Sequence, residues 1–308
     1  MAAPHWVDLL DPDEAELRKH APRELAQRAV DELLRAADPD GNTRPVLQSH
    51  GDYVLGVLLV AVLDPQRDRL FYQEIDFVLT RNRVLTVRKT PAGEPPFDPA
   101  RVREVCAVRE HVPPGVVAYH LVDEIAERYL DLLDDVDGEI DELEGNVDVW
   151  PSERIRSRLS DVRRDLLRIR RTLAPTRDAV RGVVDGRVDV DPGMLRREVF
   201  PEETERAFAG VLDKLLRASE SLEFLRDLLA TVRDYHQTQI ATEQNDVVKK
   251  LAVIASLLLF PTFIVGVYGQ NFDHMPELHW FLGYLFSWGV IVLSTVLQLI
   301  FFRWRRWI

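Results

Sequence analysis

The 308-residue chain contains one cysteine, Cys106. A single thiol excludes an intramolecular disulfide and any metal site built from a cysteine cluster. Catalytic signatures are missing too. There is no GxxxxGK[ST] phosphate loop, no GxSxG and no HExxH, which argues against an enzyme. The start, MAAPHWVDLLDPDEAEL, has neither a basic opening nor an apolar core. No signal peptide is therefore expected, and the polar part of the chain is expected in the cytoplasm. Basic residues are outnumbered: the net charge is −12. From Leu251 onward the charges are only Asp273, Glu277, Arg303, Arg305 and Arg306, so the excess acid lies upstream. Such a surface repels nucleic-acid phosphates and suits a partner that is itself a cation.

Two stretches, Leu251 to Val267 and Trp280 to Phe302, have no charged residue at all. The second is about 23 residues, enough to cross a hydrocarbon core of roughly 30 Å. The first is about 17 residues, extended by Tyr268 and by Val247 and Val248. The alternative is a buried core hairpin, but the borders favour a membrane. Lys249 and Lys250 precede the first run and Arg303, Arg305 and Arg306 follow the second, while the loop holds Asp273, His274, Glu277 and His279 without Lys or Arg. This asymmetry predicts a multi-pass inner-membrane protein with both termini in the cytoplasm. Trp280, Trp304 and Trp307 stand where interfacial aromatics are expected. The transmembrane domain is thus residues 251–308, with helices at about 249–268 and 280–302.

Upstream, residues 1–115 read as an α/β domain. Residues 11–37 read as short helices, with Asp11 a plausible cap before Pro12. Val54–Leu63, Leu70–Thr80 and Arg83–Thr90 are apolar or β-branched runs separated by turn chemistry, and predict strands. Beyond Pro113-Pro114-Gly115 the pattern is helical. Residues 116–200 read as a helical hairpin with arms of opposite charge: 131–148 carry nine carboxylates and no base, and 154–181 carry ten arginines against three acids. The expectation is that the arms neutralise each other. DDVDGEIDELE fits a calcium loop at Gly138, Ile140 and Glu144, but the first ligand position is Leu133, which cannot coordinate a hard cation. A solvated acidic face is the better reading. In residues 201–250, Phe208, Leu215, Leu222 and Leu229 recur every seven residues, with Val211, Ala218, Leu225 and Val232 as companions. That seam predicts a long stalk helix packed against neighbours and running on into the first crossing.

Past Val232 the seam changes character. One helical face now reads Asp234, Ala241, Asn245, Val248, Ala252, Ala255, Leu259, Thr262, Gly266, mostly small or polar. Close helix packing in lipid would use such a stripe. However, Asn245 and Thr262, followed by Gly269-Gln270-Asn271, are more polar than packing needs, and polar groups at membrane depth face water or protein. In symmetric copies, Asp234, Asn245, Val248, Leu259, Thr262 and Gly266 would line a path. Its oxygens suit a hard ion that keeps its water shell, as magnesium does. The face has no thiolate for a soft metal.

The motif Tyr268-Gly269-Gln270-Asn271-Phe272, followed by Met275-Pro276-Glu277-Leu278 and the terminal Arg-Trp-Arg-Arg-Trp, resembles the CorA family of divalent-cation channels, which carry Gly-Met-Asn here. The run EIDFVLTRNRVLTV, Glu74 to Val87, also looks like that family's cytoplasmic domain. The resemblance spans nearly the whole chain. It implies an α+β cytoplasmic domain, a long helical stalk and two transmembrane helices, arranged as a funnel-shaped homopentamer. It further implies a pore lined by the first crossing, with Gly269, Gln270 and Asn271 as selectivity motif, and an extracellular loop carrying Asp273 and Glu277. Gap-free alignment from the motif brings Asp234, Asn245 and Thr262 onto polar or acidic pore positions. Gln270 departs from the family's Met; relatives similar to ZntB, implicated in zinc transport, also replace it, usually by Val or Ile. The family's regulatory carboxylate falls on Gly210, one turn from Asp213, so Asp213 and Asp234 are the candidate regulatory metal residues. No cofactor is expected beyond transported or regulatory Mg2+. Three functions follow: a magnesium channel tolerating cobalt and nickel, a ZntB-like zinc transporter, or a non-conducting membrane-anchored scaffold.

Overall fold

The computed structural model describes residues 6–23, 25–38, 43–64, 69–107, 112–188, 199–270, 275 and 280–307. The chain divides into two units, one ending at Val232 and the other beginning at Arg233.

The first unit is built on a five-stranded sheet of order β1-β5-β4-β3-β2. Its strands are β1 (Trp6–Leu10), β2 (Val46–Ser49), β3 (Val54–Asp64), β4 (Arg69–Leu79) and β5 (Val84–Lys89). β1 runs parallel to β5, and the remaining pairs are antiparallel. The three apolar runs of the sequence are thus β3, β4 and β5. They read as nearly continuous hydrophobic stretches because both sheet faces are covered. One face packs on α1 (Glu14–His20) and α2 (Gln27–Leu34) through Leu17, Val30, Leu33, Val78 and Val87. The other packs on α3 (Ala100–Ala107), α4 (Pro114–Asn146) and α5 (Ser152–Val184). Gly56 sits opposite Phe77 on this second face, and a Cβ there would overlap the Phe77 ring.

Helix α4 begins at Pro114, whose missing N–H costs nothing in the first turn. It ties to the sheet through the Tyr129 hydroxyl, which donates to the Leu59 carbonyl at 3.0 Å. The α4 and α5 arms meet through charge and through apolar packing. Arg158 to Glu139 at 2.7 Å joins them, while Asp134, Asp135, Asp141, Arg156 and Arg163 stay exposed. Apolar packing of Leu132, Val136, Ile140, Ile155, Val162 and Leu166 holds the hairpin.

Helix α6 (Glu202–Tyr268) contributes to both units. In the first unit its seam is buried as the heptads predict: Phe208, Val211, Leu215, Ala218, Leu222, Leu225, Leu229 and Val232 all join the core that holds α4, α5 and the sheet. The core therefore extends through residues 1–115, 116–200 and the start of the stalk without a break at 115 or 200. Lys214 fastens this part of α6 to α4, 2.6 Å from both Asp123 and Glu127.

One local expectation needs correction. Asp11 does not cap α1; Asp13 does, accepting from the Glu16 N–H at 2.7 Å. Asp11 adopts φ +46° at the end of β1 and accepts from the Thr90 N–H at 2.9 Å. Asp11 is in the left-handed region rather than the extended conformation a cap adopts, and Thr90 takes its carboxylate, so the helix starts after Asp13.

The second unit holds the remainder of α6 and α7 (Gly283–Trp304). Both helices are long and apolar enough to cross a membrane, and only 11% and 6% of their most apolar windows is buried. A core hairpin of a soluble domain would be mostly buried, so the low values favour lipid as the covering phase. Pro261 lies inside α6. It removes one backbone donor there, which a membrane helix tolerates when nearby side chains or water serve the freed carbonyl.

Candidate ion path

Every stripe residue predicted to line a path is exposed in the single chain: Asp234, Asn245, Val248, Leu259, Thr262 and Gly266. The buried side chains of the spanning part of α6 are Val253 and Ile264, with Ser256, Leu257, Pro261, Val267 and Tyr268 half-buried. At 100° per residue those positions cluster on the opposite side of α6 from Leu259, Thr262 and Gly266. On α7 the matching covered row is Ser287, Ile291, Ser294, Gln298 and Phe302. The stripe is therefore the part of α6 that its own chain leaves uncovered. Leu258, Phe263 and Val265 are equally exposed, so composition rather than exposure separates the stripe from its lipid-suited flanks.

The polar groups of the stripe have defined bonding. The Thr262 hydroxyl donates to the Leu258 carbonyl at 2.7 Å. Its proton is spent within the helix, which leaves oxygen lone pairs facing outward as acceptors. Upstream, Thr238 and Thr242 donate in the same way to the carbonyls of Asp234 and Thr238, each at 2.9 Å. A hydrated cation presents water hydrogens, so a face of acceptors suits it. Asp234 is exposed and has the Arg233 guanidinium 3.3 Å away.

At the end of α6 the Gly269 N–H donates to Val265 O at 2.9 Å and the Gln270 N–H to Val267 O at 3.3 Å. Both residues are exposed. A Cβ at Gly269 would lie 3.2 Å from Val265 O, so glycine permits this close return of the backbone. A helix C-terminus carries the negative end of the macrodipole, which favours a cation. Asn271, Asp273 and Glu277 lie outside the described residues.

The two candidate regulatory carboxylates fall in different units. Asp213 belongs to the first unit and Asp234 to the second. Among the described residues no three His, Cys, Asp or Glu side chains come together as a metal site. Gly210 is exposed with open space around it. Pattern reading passed over Gln298: its Oε1 is buried on α7 with no hydrogen-bond partner. The available signal was a lone amide in an otherwise apolar run.

The sequence pattern of the family described as CorA-like Mg2+ transporter protein matches residues 2–306. The chain is 29% identical over 267 residues to the cobalt/magnesium transport protein CorA of Thermotoga maritima, covering 86% of this chain and 73% of that one. It superimposes on the CorA magnesium transporter of Methanocaldococcus jannaschii with a TM-score of 0.78 at 18% identity, covering 98% of this chain and 91% of the other. It also superimposes on the ZntB cytoplasmic domain of Vibrio parahaemolyticus with a TM-score of 0.57 at 17% identity, covering 77% and 88%. These last two likenesses concern the fold. With its motif at the end of α6, its two membrane-length helices and a match over nearly all its length, the chain belongs to the CorA-like Mg2+ transporter family.

Proposed function

We propose that this chain assembles as a homopentamer in the inner membrane, with both termini in the cytoplasm, and passes hydrated divalent cations along α6. Magnesium is the main substrate, and cobalt and nickel are tolerated. The observation that carries this reading is the stripe itself. Small and acceptor-bearing side chains, Asn245 and Thr262 among them, occupy the face of α6 that the chain leaves open, and that face ends at Gly269-Gln270-Asn271. Copies around an axis would set rings of oxygen acceptors along a water-filled path, weak and in series, as conduction requires. Magnesium keeps its waters in such a path because stripping them is costly. Asn271 holds the water shell at the entrance. Lys249, Lys250, Arg303, Arg305 and Arg306 fix the orientation.

A zinc-transporting reading has one observation in its favour, Gln270 in place of Met. Purified protein in liposomes, offered magnesium, cobalt and zinc side by side, separates the two. Magnesium flux should exceed zinc flux, and Asn271→Ala should abolish it while the oligomer persists. Zinc flux without magnesium flux would favour the second reading. No flux of any ion would leave a membrane-anchored scaffold. Wild-type flux in a well-assembled Asn271→Ala channel would remove Asn271 from the entrance.

A further inference from the structure

The run Glu74-Ile75-Asp76 lies in the middle of β4. Glu74, Asp76 and Val78 alternate onto the sheet face covered by α2, and on neighbouring β5 Val87 and Lys89 do the same. All three charged groups are deeply buried: Glu74 is 1%, Asp76 0% and Lys89 3% exposed. Lys89 Nζ sits 2.6 Å from a Glu74 oxygen and 2.6 Å from an Asp76 oxygen. It also donates to the Glu32 carbonyl on α2 at 3.0 Å. Although the Lys89 ammonium is close to Asp76, neither Asp76 oxygen receives a well-directed hydrogen bond.

The other groups facing this cluster can be counted element by element. From α2 and the residue after it come Glu32 and Arg35. Arg35 lies 3.3 Å from Glu74 and 3.0 Å from Glu32, and donates to the Thr43 hydroxyl at 3.0 Å. The Thr43 hydroxyl also lies 3.5 Å from the second Glu74 oxygen. Other described residues of this face are Tyr53, with Leu17 from α1, Val30 and Leu33 from α2, Leu55 from β3 and Leu85 from β5. Three carboxylates therefore face two cations. Arg35 and Glu32 reach the water edge, their side chains 42% and 36% exposed. What remains inside is two carboxylates and one ammonium.

An uncompensated buried charge costs several kcal/mol, and the usual escape is to neutralise it with a proton. A cavity of about 480 Å³ lies beside α2, lined by Arg28, Glu32, His50, Tyr53 and Val57, and Val57 is the strand partner of Asp76. We propose that the Glu74–Lys89–Asp76 cluster is a proton-binding site of the α/β unit. Asp76 holds the proton at acidic pH, and its release as the pH rises through neutrality loosens α2 from the sheet. Burial pushes Asp76 up to about 7; Lys89 opposes that shift, and Glu74 and Glu32 add to it. In the folded protein Asp76 therefore gives up its proton at a higher pH than its ordinary value of 3.8. Stability from the proton is thus complete below that ordinary value and lost as the pH rises through about 7.

The test uses the full-length protein in two measurements. In the first, aspartate is carbon-13 labelled, which separates Asp76 in the infrared from buried glutamates such as Glu139, itself pushed up to about 7 by burial and by Asp165, Glu142 and Asp161. A protonated aspartic-acid band should fade with a midpoint near neutral pH and be missing in Asp76→Asn. In the second, hydrogen exchange of peptides from α2 and β4 is followed at several pH values and corrected for intrinsic rates. The local opening constant should rise about tenfold from pH 6 to pH 8 in the wild type and stay flat in Asp76→Asn. A wild-type protein with no protonated aspartate band between pH 5 and 8 overturns the proposal, whether or not the variant folds. So does an Asp76→Asn protein whose exchange keeps the wild-type pH dependence.

Discussion

The two parts of α6 make an instructive contrast. From Phe208 to Val232 the helix presents a heptad seam, and its own chain buries every member of it. From Arg233 to Tyr268 the same helix is richer in apolar residues toward its end, yet only His236, Val253 and Ile264 are buried. Hydrophobicity alone does not predict burial within a chain. It predicts that something other than water covers the surface, and the covering differs: protein core for the first part, lipid for the second.

The contrast can be broken most sharply by truncation. Leu215→Ala or Leu222→Ala should cost about 2–5 kcal/mol, since each empties a filled core. Leu258→Ala, 65% exposed in the chain, should change stability by less than about 0.5 kcal/mol. Urea unfolding in detergent compares them, and equal costs would erase the distinction between the two parts. Adding a methyl group sharpens the same point. Gly56→Ala drives a Cβ into the Phe77 ring and should cost about 1–3 kcal/mol. Gly266→Ala meets nothing within 4 Å and should leave the melting temperature in place.

Within the second part, the contrast is between faces. Cysteines replacing Asn245 or Thr262 should react with small water-soluble thiol reagents in membranes, whereas cysteines replacing Leu257 or Phe260 should not. Equal reactivity on both faces would make the stripe a packing surface. The smallest effect is expected at Asp234. If it senses magnesium, the ion should protect residues 208–234 from protease in the wild type and protect Asp234→Ala less. Identical protection would exclude Asp234 from the sensor.

Much of this was legible beforehand because periodicity reports covering directly. The α6 seam follows from a seven-residue repeat, and the β3, β4 and β5 runs and both crossings follow from the length of unbroken apolar stretches. Short elements were harder. β1 and β2 have five and four residues and carry too few positions for a pattern, and β1 exists through its parallel register with β5. Asp11 looked like a cap because it precedes a proline, but Thr90, far along the chain, claims its carboxylate. The opposite charges of α4 and α5 meet at Arg158 and Glu139, and a buried apolar row that the charge pattern did not mark joins the same two helices.

Sequence by itself determined where the chain meets lipid, which face of α6 is polar, and the motif that closes it, since these depend on composition and local spacing. Tertiary structure alone decided that Glu74, Asp76 and Lys89 share one buried point. Nothing in Glu-Ile-Asp marks it as buried, and Lys89 reaches it through the register of β5 on β4. Electrostatic character depends on distance and dielectric, which only the folded chain supplies.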